Sequence, residues 1–409
     1  MPESRYDIGR IAQFCNLILS ADSDVARASL AHDSAAAYRS LNADSRDGFI
    51  AFLANLQDPS IDTLVPPARA VAPRKELFGR LGVATECVAM LIDMRSHMLN
   101  GLHSHPAWIP VEDDLADVLR TLFAPHHLEF RRVESDAEPE LLANLVRFEA
   151  VHRIRDTREL RRRLQSDRRC FGLFHSALPH EPVVFTELAL TAVVSEAVQP
   201  LLNPESPIVD ARACRCAVFY SISNCRDGLR GMGFGGSLIR RAVDSLRAEF
   251  PGLKTFATLS PIPGFREWLA DVAQTGDRMA GDLVAQLDDV SWVNRPAVAT
   301  SLKRRLIPLC AYYLVRARRG SQPADAVARF HLGNGARLER VNWLGDISDT
   351  GIRRSAGLSV NYRYSLEDLD RNQEAYVTRG AVVASRQVER SARLAVNYSM
   401  TRALNQPRL

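Results

Sequence analysis

The chain has 409 residues, more than one ordinary core accommodates, and its 46% hydrophobic and 24% charged residues are those of a soluble globular protein. A net charge of +4 and a pI near 8.7 give no basis for a nucleic-acid partner, and no apolar run reaches membrane-spanning length. Nearly all the positive charge is arginine, with Lys75, Lys254 and Lys303 the only lysines, a bias that codon choice in a GC-rich genome produces.

The opening residues, MPESRYDIGRIAQF, lack a signal-peptide pattern, and the terminal Gln-Pro-Arg-Leu is not a Ser-Lys-Leu peroxisomal address. Seven scattered cysteines form no disulfide framework. A cytoplasmic location is therefore expected. Cys214-x-Cys216 has no second pair to complete a zinc site, so both are expected as small buried hydrophobes, and no metal site is assigned.

From Ile8 to about Phe123 the pattern is helical. IAQFCNLILSA and DGFIAFLANL place apolar residues at helical spacing, with Asp44 and Asp47 as candidate caps. VPPARAVAPRKEL interrupts as a proline-rich connection. CVAMLIDMRSHMLNGL then predicts a helix running to a stop at Gly101, and DDLADVLRTLF another. His103-x-His105 is expected to cap a helix or face solvent. This first third reads as a helical bundle with no catalytic constellation.

After Pro125 strands alternate with helices. LEFRRV predicts a strand and EPELLANLVRFEAV a helix; Asp156 is placed to cap TRELRRRLQ, whose arginine run is expected to be a solvated face. CFGLFHSA and PVVFTELAL form two strands around a turn at Leu178–Glu181. CAVFYSIS is a further strand, followed by DGLRGMGFGG and the amphipathic SLIRRAVDSLRAEF, whose inner stripe is Leu238, Ala242, Leu246 and Phe250 beside Ile239 and Val243. Pro251-Gly252 ends that helix, and TFATLS is the next strand. About fifty helical residues follow Phe265. PADAVARFHLGNG predicts a short helix with a glycine stop, ARLERVNWL and GLSVNYRY two strands, and TRGAVVASRQVERSARLAV a tail helix.

Strand, glycine-rich turn and helix in that order make a phosphate cradle, because the first N–H groups of a helix point outward unpaired and the helix dipole adds positive character. The spacing Arg230-x-x-Gly233-x-Gly235 is neither the dinucleotide GxGxxG nor a P-loop, which needs Lys-Ser/Thr. It matches the Arg/Gln-x-x-Gly-x-Gly/Ala loop of the GNAT acyltransferase superfamily, whose ligand is an acyl-CoA. The resemblance implies that Arg230, Gly231, Gly233, Phe234, Gly235 and Gly236 line the CoA site.

A more particular likeness rests on FYSIS (219–223), LSPIPGF (259–265), FHLGNGA (330–336) and NYRY (361–364). Together these resemble the malonyl-CoA decarboxylase family, over most of the chain from Leu128 to about Leu366. The fold so implied is α+β: a helical N-terminal domain (1–123) for self-association, as dimer or tetramer, and a GNAT-like mixed-sheet catalytic domain (124–409) with a helical insertion. The resemblance further implies that malonyl-CoA is the substrate, decarboxylated without a separate cofactor. Ser260 and His331 would be the catalytic pair, Tyr364 would line the site, and Ser221 and Asn361 would serve substrate binding. Some relatives carry a carboxylate where this chain has Gly233, so no acidic residue is assigned to the loop.

The residue types suit that chemistry. Losing CO2 from a malonyl thioester leaves an enolate whose oxygen needs hydrogen-bond donors and whose carbon needs a proton. Pro261 and Pro263 stiffen the chain beyond Ser260. Three other readings stay open on residues alone: acyl transfer to an amine, thioester hydrolysis with Ser260 as nucleophile, and a silent acyl-CoA sensor. Ser260 lacks the GxSxG elbow of the hydrolases.

Overall fold

The computed structural model describes residues 3–21, 23–56 and 73–395. Among the described residues the chain opens with α1 (Glu3–Ser20), α2 (Asp24–Ser40), α3 (Ala43–Ala54), α4 (Pro73–Gly82), α5 (Thr85–Gly101) and α6 (Ile109–Leu122). Residues 65–72 of the proline-rich connection lie outside the described residues, and Pro73 to Leu77 already belong to α4. The cap of α3 is Asn42, whose side chain accepts the Ser45 N–H, rather than Asp44 or Asp47. Asp44 sits inside the first turn, where a carboxylate meets the helix dipole, and Asp47 is held by His97. His105 Nδ1 lies 3.2 Å from the Gly101 carbonyl, and its ring stacks on Trp108.

The rest of the chain is organised by one mixed sheet. Its strands are β1 (Leu128–Val133), β2 (Arg168–His175), β3 (Pro182–Thr191), β4 (Cys216–Asn224), β5 (Thr255–Thr258), β6 (Ser260–Pro261), β9 (Arg337–Asn342) and β10 (Ser359–Tyr364); β7 (Arg318–Arg319) and β8 (Gln322–Pro323) make a separate ribbon. The order is β1-β2-β3-β4-β5-β10-β6, with β9 also on β10. Every pair is antiparallel except β4 and β5, which run parallel from Cys216↔Thr255 to Phe219↔Thr258. Beyond Phe219 β4 and β5 part, and the extra residue Tyr220 bulges β4 against β3. The eight described strands thus make a mixed sheet, as the resemblance implies.

Between the strands run α7 (Pro139–Phe148), α8 (Thr157–Arg163), α9 (Gln199–Leu202), α10 (Phe234–Glu249), α11 (Phe265–Gln274), α12 (Arg278–Asp288), α13 (Pro296–Arg316), α14 (Ala326–Gly333), α15 (Asp349–Ser355), α16 (Leu369–Arg379) and α17 (Arg386–Ala395). The expected inner stripe of α10 is buried in full. Glycines 235 and 236 cost a helix about 1 kcal/mol each. Burying a Leu or Val side chain returns about 1.5–3 kcal/mol, so packing holds α10 against the weak propensity of its first turn. One apolar core runs from Leu91, Leu115 and Phe123 in the opening helices to Phe219 and Leu238 in the sheet and α10. On the opposite sheet face Val198, Leu201, Val218, Tyr220 and Leu259 pack together.

Other expectations also need correction. TFATLS is not one strand: β5 stops at Thr258 and β6 starts at Ser260, the pairing with β10 being interrupted between them while the Leu259 N–H still bonds the Phe219 carbonyl of β4. The tail is not one helix: Gly380, at φ 61°, ends α16, and an extended link reaches α17. Neither α15 nor α16 was expected. The arginine run of α8 is not a solvated face either. Asp156 does cap α8, accepting the Arg158 and Glu159 N–H groups, and Arg161 is exposed. Arg162 and Arg163, however, are 4% and 2% exposed. Arg162 pairs with Asp167, and Arg163 with Glu187 on β3 and with the His152 carbonyl. Burial and the neighbouring Glu149 charge push the Glu187 carboxyl up to about 8, against the pull of Arg163. Arg163 thus stands among more acid than it can neutralise. Arg163→Met should lower stability by about 1–3 kcal/mol in urea unfolding by leaving the buried Glu187 carboxyl and the His152 carbonyl without their donor. Arg161→Ala should cost under about 0.5 kcal/mol, and equal losses would contradict this division.

Candidate active site

The glycine loop links β4 to α10 through a single turn at Asp227–Leu229. Gly231 and Gly233 take φ of 82° and 79°, the left-handed region that side chains resist. Gly233 is the N-cap of α10 and offers no capping side chain, so the first N–H groups of α10 remain available for an anion. The next two glycines serve contact rather than conformation. A Cβ at Gly235 would fall 2.5 Å from the Phe330 ring, and one at Gly236 would fall 2.1 Å from Asn334 Oδ1. Their bareness lets α14 dock on the start of α10. Arg230 is exposed and pairs with Asp227, while Phe234 packs near Phe123.

Arg95 on α5 braces the loop from behind. Its guanidinium, buried and paired with Glu112, donates to the Gly228 and Arg230 carbonyls at 2.6 and 3.0 Å. Nothing in the sequence marks Arg95, since an arginine within a helix gives no sign of a tertiary partner 133 residues away.

Ser260 and His331, seventy-one positions apart, meet: Ser260 Oγ lies 3.0 Å from His331 Nε2. His331 Nδ1 lies 2.8 Å from the Tyr364 hydroxyl, and Ser260 donates to Thr258 Oγ1 at 2.8 Å. All four residues are buried. The imidazole stacks on Tyr362 with ring centres 4.5 Å apart. Asp325 starts α14 by accepting the Ala328 N–H, and the His331 carbonyl accepts the Asn334 and Ala336 N–H groups, fixing the end of the helix that carries the ring. Burial alone lowers the His331 pKa to about 3, so the ring is neutral at ordinary pH. Burial likewise drives the Tyr364 phenol above its usual value, and it too stays protonated.

Tyr364 joins this array to the loop. Gly233, Gly236, Asn334, Tyr364 and Gln373 line a cavity of about 190 Å³, with Arg240 at its rim, while Ser260 and His331 lie behind the phenol. A larger cleft, about 880 Å³, lies by α8 and α9 and is lined by His152, Arg153, Arg163 and Asp346, but by none of the expected site residues.

Two expected residues stand apart. Ser221 donates to Glu149 at 2.7 Å, and its hydroxyl is committed there. Asn361 spans the break in the sheet: its amide donates to the Thr258 carbonyl at 2.7 Å and the Ser195 carbonyl at 3.1 Å, and its oxygen accepts from Arg340 and Asn342. Its amide thus satisfies the Thr258 carbonyl where the pairing of β5 with β10 is interrupted, next to the strand that carries Ser260. Thr258 was not foreseen, because a threonine in a strand ordinarily signals only β-propensity.

The neutral ring fixes a stability signature. Unfolded, His331 takes a proton near pH 6.5; folded, only near pH 3. As pH falls below 6.5 the unfolded chain binds the extra proton, so its share of stability is lost, by at most about 1.4 kcal/mol per pH unit. Urea midpoints of the wild type should therefore fall more steeply from pH 6 to pH 4 than those of His331→Asn. Parallel slopes would contradict a neutral buried ring.

Comparison with known proteins identifies the family. The family model described as "Malonyl-CoA decarboxylase C-terminal domain" matches residues 126–403, and that described as "Malonyl-CoA decarboxylase N-terminal domain" matches residues 62–123. The chain is 33% identical over 348 residues to "Malonyl-CoA decarboxylase, mitochondrial" of Anser anser anser, covering 78% of this chain and 69% of that protein. The protein of the same name from Rattus norvegicus is 32% identical over 349 residues, covering 78% and 71%. The crystal structure of malonyl-CoA decarboxylase from Rhodopseudomonas palustris superposes with a TM-score of 0.86 at 35% identity, covering 94% of this chain and 99% of that one. That from Agrobacterium vitis gives 0.85 at 36% identity, covering 93% and 99%.

Proposed function

The chain belongs to the malonyl-CoA decarboxylase family, and from that premise we propose that it converts malonyl-CoA to acetyl-CoA and CO2 with Ser260 and His331 as its catalytic pair. The observation that supports the pair is their 3.0 Å contact in a buried place, joined through Tyr364 to the cavity beneath the glycine loop. In this reading the N–H groups at the start of α10 hold the CoA pyrophosphate, and the thioester arm runs past Tyr364.

The malonyl carboxylate loses hydration as it enters a buried pocket, which favours its departure as neutral CO2. The electron pair of the broken C–C bond passes to the thioester as an enolate. A neutral imidazole keeps an N–H, so its first role is to donate a hydrogen bond to the enolate oxygen as charge develops there. The enolate carbon then takes one proton, with Ser260 or His331 as its final donor, and acetyl-CoA results. The CoA thioester is the substrate, and no separate cofactor enters this scheme. Thioester hydrolysis fits less well, since Ser260 turns its proton to Thr258 rather than to the ring, the reverse of a serine activated by a base.

The same reading gives residues 1–123 the role of self-association, as a dimer or a tetramer; sedimentation of the full chain as a monomer would remove it. It also places the enzyme in a reducing compartment, the cytoplasm, which suits seven unpaired buried cysteines. Cell fractionation tests that. Among the described residues no helix is long and apolar enough to cross a membrane.

Malonyl-CoA supplied alone should yield CO2 and acetyl-CoA with no amine acceptor present. His331→Asn and Ser260→Ala should each lose about 10²–10³ in kcat. Solvent-deuterium incorporation into acetyl-CoA by the two variants identifies the proton donor. Full turnover by both would reject the pair.

A further inference from the structure

Hydrogen-bond accounting around Ser260 carries an inference beyond the pair itself, and it rests on the same site. Ser260 has one hydroxyl proton, and that proton goes to Thr258 Oγ1 at 2.8 Å. The 3.0 Å contact between Ser260 Oγ and His331 Nε2 must then be donated by the ring. A neutral imidazole has a single N–H. If Nε2 holds it, Nδ1 is bare and accepts the Tyr364 hydroxyl at 2.8 Å. Each of these three contacts then has one donor and one acceptor. The direction runs from Tyr364 through the ring and Ser260 to Thr258.

We infer that Thr258 is a positioning residue that fixes the direction of the Ser260 hydroxyl and, through it, the tautomer of His331. Its own placement is rigid for a visible reason. Thr258 is the last residue of β5, 1% exposed, at the break in the sheet. Its Oγ1 also accepts the Tyr362 N–H at 3.2 Å, and its carbonyl accepts the Asn361 amide. Both partners lie on β10, two residues or three before Tyr364, so the strand that supplies the phenol also anchors the hydroxyl at the far end of the array. The consequence for the reaction is that the ring keeps its N–H on the Ser260 side, where an enolate oxygen that shares or replaces the Ser260 Oγ acceptor meets a donor. With the opposite tautomer Nε2 would present a lone pair there and repel that oxygen.

Thr258→Val removes the acceptor at nearly constant volume, and Thr258→Ser retains it. Long-range ¹H–¹⁵N correlation spectra of protein labelled at histidine, with the His331 resonances identified by their loss in His331→Asn, report which ring nitrogen carries the proton. The wild type and Thr258→Ser should both show Nε2–H, and Thr258→Val should show Nδ1–H as Ser260 turns its proton to the ring. Thr258→Val should also lose about 10² in kcat with KM changed by less than about threefold, and Thr258→Ser should recover most of that loss. A wild-type ring protonated at Nδ1, or an unchanged tautomer in Thr258→Val, would overturn the inference. If Thr258→Val does not fold, the spectra of the wild type and Thr258→Ser decide by themselves. These spectra need no turnover, whereas an inactive wild type would reject the proposed function, so the two failures are distinguishable.

Discussion

The contact between Ser260 Oγ and His331 Nε2 is made possible by a break in a β-strand. Had β5 continued through residue 260, the ladder with β10 would have claimed the backbone around Thr258. Instead Leu259 keeps its bond to Phe219 on β4 while side chains replace the pairing with β10: Thr258 Oγ1 accepts the Tyr362 N–H, and Asn361 donates to the Thr258 carbonyl. A break in the middle of a sheet would ordinarily leave buried polar groups unpaired, at about 1–3 kcal/mol each. Here the Tyr362 N–H and the Thr258 carbonyl both have partners, and the strand that breaks is the strand that presents Ser260.

The other half of the contact depends on glycine. His331 reaches Ser260 because α14 lies against the first turn of α10, where the hydrogen atoms of Gly235 and Gly236 leave room for Phe330 and Asn334. One loop therefore supports two features of the site. Its uncapped first turn lines the cavity, and its bare Cα atoms admit the helix that carries the imidazole. Arg95 ties the same loop to the opening helices through two backbone carbonyls, so the helical third contributes to the rigidity of the cradle.

Local signals were legible in the sequence. The glycine loop, the stripe of α10, the cap at Asp156 and the strand at LEFRRV follow from short-range rules about backbone freedom, amphipathicity and side-chain capping, and the structure has each of them. Ser260, His331 and Tyr364 were found through the family resemblance, since spacing cannot say that residues 71 apart will touch. What stayed hidden has a common cause. Arg162 and Arg163 look like surface charge until their carboxylates, Asp167 and Glu187, are known to fold over them. Thr258, Arg95 and Asn361 matter through partners on other elements. Ser221 lies on the expected strand, but a single bulged residue, Tyr220, turns its hydroxyl to Glu149. A one-residue change of phase in a strand reverses every face beyond it, and alternation alone does not announce it.

The central claim is spatial: the acyl end of the substrate comes to the buried array of Tyr364, His331 and Ser260, on the sheet face that carries α10. A crystal structure with an unreactive thioether analogue of malonyl-CoA tests this most directly. The account predicts the pyrophosphate on the first N–H groups of α10 and the malonyl oxygens within about 3.2 Å of the Tyr364, His331 or Ser260 polar atoms. A malonyl group bound instead in the large cleft beside Arg153 and Arg163, with the His331 array untouched, would contradict it.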